Sequence, residues 1–304
     1  MIQTIIPHIL NIFSADFLPI LVPFLAYWIY SHRANQNEFK DKVVLITGAS
    51  SGLGEAVAHV FHKSGSKVIL AARSVDQLER VKADLINSSK KNPNEPVVFP
   101  IDLSSLESIP EKASALLSIY NGIDLVICNA GVSHRGTILE TSLDVQMKVM
   151  TVNYFGQIAL INALLPSLIK RKGHVMAISS VQGRISLPYR SAYAASKHAL
   201  QAYMDCLRSE VPDITVSVIN PGYIKTNMSI NAFTASGQKY GVLDSTTAKG
   251  YSAEYVAEKI MTAAVRRDKE VTIAPILPRL AILFRVIAPS LFFIAMKFWA
   301  KKKN

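Results

Sequence analysis

Lys42-Val-Val-Leu-Ile-Thr47 runs directly into Gly48-Ala-Ser-Ser-Gly52-Leu-Gly54, and from there into the apolar, helix-spaced stretch 55–62. A short β-branched run of this kind reads as a buried strand, and the stretch after the glycines as a helix. Strand, glycine turn and helix together form a dinucleotide cradle. Glycines allow a tight turn and close approach of the backbone to a pyrophosphate, whose charge is stabilised by the free amides and dipole at a helix start. The spacing is G-x-x-x-G-x-G, one longer than the usual fingerprint. Its position after a strand and before a helix carries more weight than the glycines themselves.

Working outward, Lys67-Val-Ile-Leu-Ala-Ala72 reads as a second strand ending on Arg73-Ser74. Folds that select NAD place an acid there for the ribose hydroxyls. Arg73 would instead pair with a 2′-phosphate, so NADP(H) is expected over NAD(H), although an exposed arginine after a strand is also an ordinary solvated charge. Further apolar strands are expected at 96–101, leading to Asp102-Leu103, at 123–128, leading to Asn129-Ala130-Gly131, and at 214–219, leading to Asn220-Pro221-Gly222. Helical patterns alternate with them. The fold class expected is therefore α/β, a Rossmann-type doubly wound parallel sheet covered by helices on both faces. Ligands in such sheets gather at the carboxyl ends of the strands, where these polar and glycine motifs fall.

Tyr193-Ala-Ala-Ser-Lys197 sets a phenol and an ammonium four residues apart in a segment expected to be helical, on one face. A free tyrosine titrates near 10, and a fixed cation nearby lowers that value, so such a pair can exchange protons with an alcohol or carbonyl oxygen. Isolated, the pair would be two neighbours on a helix. Here Thr47-Gly48-x-x-x-Gly52-x-Gly54, Asn129-Ala-Gly131, Asn153, Ser180 thirteen residues before Tyr193, and Asn220-Pro-Gly222 accompany it in order. Together they resemble a classical short-chain dehydrogenase/reductase (SDR) over about 42–274. Residues 184–197, Pro221-Gly-Tyr-Ile-Lys-Thr226 and the hydrophobic ends are similar to the membrane-associated member 7 and 7B group of that family.

The resemblance implies roles. Tyr193 would protonate the carbonyl oxygen, Ser180 would hydrogen-bond it, Lys197 would lower the tyrosine and bind the nicotinamide ribose, and Asn153 would anchor a relay water. Ser179 is chemically identical to Ser180, but Ser180 alone has the family's separation from Tyr193. Asn153 could equally hydrogen-bond the backbone within a helix. The cofactor would be held by Gly48, Ser50, Ser51, Gly52, Leu53, Gly54, Arg73, Asp102, Leu103, Asn129, Ala130, Gly131, Tyr193, Lys197, Pro221, Gly222, Ile224 and Thr226. Ser180, Tyr189 and Tyr193 would meet substrate, with His134 a further pocket candidate. The polar, aperiodic stretch 227–252 suits a mobile loop over the pocket, where Met228, Phe233 and Tyr240 either line a channel or pack locally. No metal-spaced cluster is visible.

The chain divides by composition into an anchor at 1–31, a catalytic domain at 40–275 and a membrane-associating tail at 276–304. Half the residues are hydrophobic, and 1–31 carries Asp16 as its one charged side chain. The apolar run 17–30 ends in Tyr27, Trp28 and Tyr30, which suit the headgroup level; it spans only if 4–15 contributes, and otherwise anchors at the interface. Val286 to Met296 reads as a helix lying in the interface, or as a core or dimer-contact helix. Arg33, Lys40 and Lys42 follow the first apolar run, favouring a cytosolic catalytic domain. The final Lys301-Lys-Lys-Asn304 resembles an endoplasmic reticulum retrieval signal, or is a solvated basic tail; a peroxisomal membrane is the alternative location. The net charge of +11 is scattered or terminal, without a nucleic-acid module, and fits anionic lipid and NADPH phosphates. Cys128 and Cys206 fall on elements expected to be buried. Asn87-Ser-Ser89 and Asn227-Met-Ser229 fit glycosylation sequons, and their modification would contradict a cytosolic domain.

These features describe a membrane-anchored NADP(H)-dependent oxidoreductase acting on a lipid-like carbonyl or alcohol, such as a steroid, retinoid or acyl-dihydroxyacetone phosphate. The resemblance implies a homodimer paired through the helix of Tyr193. A cofactor-binding scaffold with negligible turnover is the rival, against which the intact Ser180, Tyr193 and Lys197 argue.

Overall fold

The computed structural model describes residues 36–89 and 92–301, so the anchor expected at 1–31 and most of the basic tail lie outside the described residues. Along the chain, β1 (Val43–Thr47) leads into α1 (Gly52–Lys63), β2 (Lys67–Ala72) into α2 (Val75–Ser88), and β3 (Val97–Pro100) into α3 (Ile109–Ile119). β4 (Leu125–Cys128) and the two-residue β5 (His134–Arg135) precede α4 (Leu143–Met150) and α5 (Gly156–Arg171), which a π turn at Thr151–Phe155 joins. Then come β6 (His174–Ile178), α6 (Ser191–Glu210), β7 (Thr215–Pro221), β8 (Phe233–Thr234), α7 (Ser245–Ala248), α8 (Ala253–Arg266) and β9 (Glu270–Ile273). α9 (Ile276–Ile287) and α10 (Pro289–Lys301) follow.

Seven strands form one parallel sheet in the order β3-β2-β1-β4-β6-β7-β9, the Rossmann-type arrangement expected from the alternation of motifs. Period-2 alternation explains why the strands are apolar throughout. Val44, Ile46, Val68 and Leu70 point into the core beneath α1 and α8, while Val43, Leu45, Ile69 and Ala71 point into the core beneath α3, α5 and α6. Strand order reverses between β1 and β4, so the loops after these strands open onto one crevice.

Four local expectations change. The stretch 227–252 is tied down rather than loose: β8 pairs in parallel with β5, Ile224 bridges Tyr251, and the Phe233 amide donates to the Ser133 carbonyl at 2.9 Å. Asn153 sits in the π turn, not in a regular helix interior. Gly156 follows it because a Cβ there would be driven into the Leu103 carbonyl. The single helix expected at 286–296 is broken at Ala288, since Pro289 lacks the N–H to continue and instead opens α10. Cys128 is buried as expected, but Cys206 is exposed.

The one described helix long and apolar enough to cross a membrane, 143–171, is packed into the protein, burying Leu160, Leu164 and Leu168 in the sheet core and Val149 in a smaller cluster with Val145 and Ala192.

Candidate active site

Thr47 locks the two loops at the crevice together. Its hydroxyl donates to the Ile127 carbonyl at 3.3 Å and accepts from the Asn129 and Ala130 amides, each at 3.0 Å. Asn129 Nδ2 returns to the Thr47 carbonyl at 2.9 Å and the Gly48 carbonyl at 3.3 Å, bracing the glycine loop from behind. Two glycines show why the loop needs them. Gly48 has φ +66°, and a Cβ there would lie 2.8 Å from Ala130 Cα; a Cβ on Gly54 would enter the Gly48 carbonyl. Ser51 caps α1 without a side-chain hydrogen bond, which leaves the first-turn amides facing the crevice for an anion.

This cradle is one end of a cleft of about 1310 Å³, larger than the ~300–1,000 Å³ of a single small-molecule pocket. All the residues expected at the cofactor line it: Gly48, Ser50, Ser51, Gly52, Leu53, Gly54, Arg73, Asp102, Leu103, Asn129, Ala130, Gly131, Tyr193, Lys197, Pro221, Gly222, Ile224 and Thr226. Arg73 is exposed at the end of β2. Thr226 reaches across so that its methyl would lie 3.1 Å from a Cβ on Gly52. The glycine cradle, the uncapped helix start and the Arg73 cation fit a dinucleotide phosphate chain.

Ser180 and Tyr193 meet in the same cleft. Ser180, just past the end of β6, accepts from the Gln182 amide at 3.0 Å, donates to the Pro221 carbonyl at 3.5 Å and stands beside the phenol, which its hydroxyl acts to lower. Ser179 turns away and donates to the Lys197 carbonyl at 3.3 Å. Lys197 Nζ donates to the Ile178 carbonyl at 2.8 Å and lies 5.8 Å from the Tyr193 ring centroid. Burial pulls the Lys197 ammonium down to about 8, against the opposing effect of Cys128, whose thiol burial pushes up to about 12.

The tyrosine differs from expectation. Burial holds the phenol above its ordinary value, and the opposing influences are the Ser180 hydrogen bond, Arg135 and Arg190 rather than Lys197. Tyr193 is therefore a protonated donor at neutral pH.

Four residues raised for the site, Asn153, Tyr189, His134 and Tyr240, do not line the cleft. Asn153 is fully buried, accepting from the Val132 amide at 2.8 Å and donating to the Val132 carbonyl and Ser196 Oγ, both at 2.9 Å. Its side chain fixes the segment after Asn129-Ala-Gly131 to the Tyr193 helix. Tyr189, with φ +66°, donates from its hydroxyl to the Ala300 carbonyl at 3.2 Å and so holds α10 instead of lining the pocket. His134 is also outside the lining; burial first, then Arg135 and Arg190, lower it to about 4. Met228 and Phe233 line the cleft, whereas Tyr240 lies under the Arg135 guanidinium at 5.8 Å.

Sequence reading missed a charged group on the wall. Arg135 binds Asp244 Oδ2 through Nε at 2.9 Å and Nη2 at 2.7 Å, and the buried Arg190 reaches the same oxygen at 3.0 Å. Burial works to raise Asp244, but the Arg135 hydrogen bond and both positive charges hold the carboxyl below its usual value. Two guanidiniums share one carboxylate, leaving a net positive charge beside Tyr193. No local pattern around Arg135 or Asp244 gave a signal for it; the position of Arg190 three residues before Tyr193 was the available hint.

Comparison with known proteins identifies the class. The profile of the short chain dehydrogenase family matches residues 42–237. A dehydrogenase/reductase SDR family protein 7-like from Drosophila melanogaster is 47% identical over 285 residues, covering 92% of this chain and 87% of the relative. Dehydrogenase/reductase SDR family member 7B of Mus musculus is 48% identical over 268 residues, covering 87% and 83%. Among solved structures, a short chain dehydrogenase from Escherichia coli CFT073 complexed with NADPH superposes with TM-score 0.69 at 28% identity, covering 79% of this chain and 98% of that one. An alcohol dehydrogenase from Thermococcus sibiricus, complexed with 5-hydroxy-NADP, gives TM-score 0.67 at 27% identity over 76% of this chain and 95% of the other. The chain thus belongs to the classical short-chain dehydrogenase/reductases, nicotinamide-dependent oxidoreductases of carbonyls and alcohols. Within that family it groups with the member 7 and 7B relatives.

Proposed function

We propose that the chain is an NADP(H)-dependent reductase of a carbonyl on a lipid-like molecule, using Ser180, Tyr193, Lys197 and Asn153. The observation that carries this reading is the meeting of a protonated Tyr193 phenol and the Ser180 hydroxyl in one cleft with the glycine cradle. A bound nicotinamide would supply the hydride to the carbonyl carbon. Tyr193 gives its proton to the oxygen as negative charge builds there, Ser180 donates a hydrogen bond to the same oxygen, and the product is the alcohol. Lys197 holds the ribose side and a positive charge behind the phenol. Asn153 acts as a positioning residue, joining the loop at Val132 to the Tyr193 helix. Arg73 supports NADP(H), because β2 ends on a cation where an acid would favour NAD.

Arg135, Arg190 and Asp244 favour the phosphate-bearing member of the three lipid classes, acyl-dihydroxyacetone phosphate, over a steroid or retinoid. A net positive charge in the wall beside Tyr193 attracts an anionic group carried near the carbonyl. The apolar side chains of Met228, Phe233 and Trp299 supply the surface for an acyl chain.

For location, we favour an anchor at 1–31 in an intracellular membrane, that of the endoplasmic reticulum before the peroxisome, with the catalytic domain in the cytosol, supported by the order of apolar run and basic residues.

The test is NADPH and NADH oxidation with a panel of steroid, retinoid and acyl-dihydroxyacetone phosphate ketones. Turnover is expected with NADPH, fastest on the phosphate ester, and Arg135→Met should lower kcat/KM for that ester by about tenfold while sparing uncharged ketones. Equal use of NADH, or equal loss on all ketones, contradicts the respective assignment.

A further inference from the structure

The helices α9 and α10 carry two apolar faces, and only one has a protein partner among the described residues. On the inner face, the buried Phe292 packs with Val181, Ile185 and Ala274, next to the turn that Ser180 begins. Leu277, Phe284, Met296 and Trp299 continue this face into the lining of the cleft. The outer face is built of Val286, Ile287, Phe293, Ile294 and Phe298, exposed by 73%, 72%, 56%, 54% and 70%. The same two helices therefore wall the cleft on one side and present an apolar surface on the other.

Charge identifies what the outer face meets. From 276 to 304 the sequence holds Arg279, Arg285, Lys297, Lys301, Lys302 and Lys303 and no Asp or Glu. Arg285 lies with its guanidinium 5.4 Å over the Phe293 ring, a cation seated at the edge of the apolar patch. A second copy of this chain would have to bring the same unbalanced cations together across a symmetric contact, which opposes pairing here. An anionic surface with an apolar interior complements both features. Helices of 12 and 13 residues are only about 18 to 20 Å long, too short for the ~30 Å hydrocarbon core, so they lie in the interface rather than cross it.

We propose that α9 and α10 dock on an anionic phospholipid bilayer and form the doorway by which an apolar substrate passes from the leaflet into the cleft. The docking stands on the two faces and the charge alone. The doorway rests in addition on the reading of the cleft as a lipid-carbonyl reductase site.

The experiment uses the full chain in vesicles. The sequence has two tryptophans, so Trp28→Phe and Trp299→Phe combined with Phe298→Trp give a parent chain with one reporter, on the outer face of α10 and away from the cleft. Brominated vesicles of phosphatidylglycerol and phosphatidylcholine should quench the emission of that reporter by about half, and Val286→Asp with Ile287→Asp and Ile294→Asp should abolish the quenching. Those three side chains do not line the cleft, so the variant should reduce a water-soluble ketone within about twofold of the parent rate while losing about tenfold or more on a long-chain ketone held in the vesicles. Absence of quenching in the parent chain overturns the docking, including the case where sedimentation shows the face covered by a second copy. Quenching with equal rates of parent and variant on the vesicle-borne ketone overturns the doorway. Failure of the parent chain to turn over any ketone, soluble or vesicle-borne, removes the reductase reading and the doorway together, and the quenching result still decides the docking.

Discussion

Lys197 is where burial and charge oppose each other most directly. Its ammonium, pulled down to about 8 by burial, is protonated below that pH and lost as pH rises through it. Tyr193, raised by burial, keeps its proton over the same range. The kcat/KM for carbonyl reduction should accordingly be level from about pH 6 to 8 and fall as pH rises beyond Lys197, while Lys197→Met should remove that alkaline limb and lower the rate by about a hundredfold. A pH profile unchanged by Lys197→Met would break the link. The pair was legible in the sequence because four-residue spacing on a helix is local information, and Ser180 followed from its distance to Tyr193. Arg135 and Asp244 were not, since their contact joins residues 109 positions apart and no local pattern marks it. The contact of Tyr189 was hidden for a similar reason: its partner, Ala300, lies in a tail that sequence alone left open between a membrane interface and a core or dimer contact.

Elements buried on both faces were the easiest to read. β1 and β2 are continuous apolar runs because helices cover both sides of the sheet, and their boundaries follow from that. β5, β8 and β9 went unread, being two to four residues long and made by pairing to distant chain rather than by their own composition. The π turn was hidden as well, because the residue that follows it, Gly156, is required by close approach to Leu103, a residue more than fifty positions away. At the cradle the element is held by a close approach that a substitution can test. Gly54→Ala should push α1 away from the Gly48 carbonyl, destabilising the fold by about 1–3 kcal/mol and weakening NADPH binding before any other ligand contact is touched. A dye-monitored melt with an NADPH titration measures both; an unchanged affinity would mean that the cradle does not seat the pyrophosphate.

Over the whole molecule, stability in acid is set by histidines kept neutral inside it. Burial lowers His174 to about 3, with Arg267 adding to it, and lowers His134 to about 4; His62 is lowered in the same direction. Because the unfolded chain binds these protons near pH 6.5 and the folded chain does not, stability is full above about 6.5 and declines as pH falls toward the folded values. Urea midpoints measured from pH 7.5 down to 4.5 should fall steadily, and His174→Gln, which can still hydrogen-bond Ser217, should flatten the slope. A slope unaltered by that change would place the acid sensitivity elsewhere.

The central claim is that Tyr193 delivers the proton in a reduction whose hydride comes from a nicotinamide bound in the glycine cradle. Single-turnover reduction of a lipid ketone by preloaded NADPH, compared between the parent chain and Tyr193→Phe, tests it most directly. The account predicts unchanged NADPH binding and a reduction rate at least about a hundredfold lower in the variant. NADPH bound equally by both, with equal rates of ketone reduction, would contradict it.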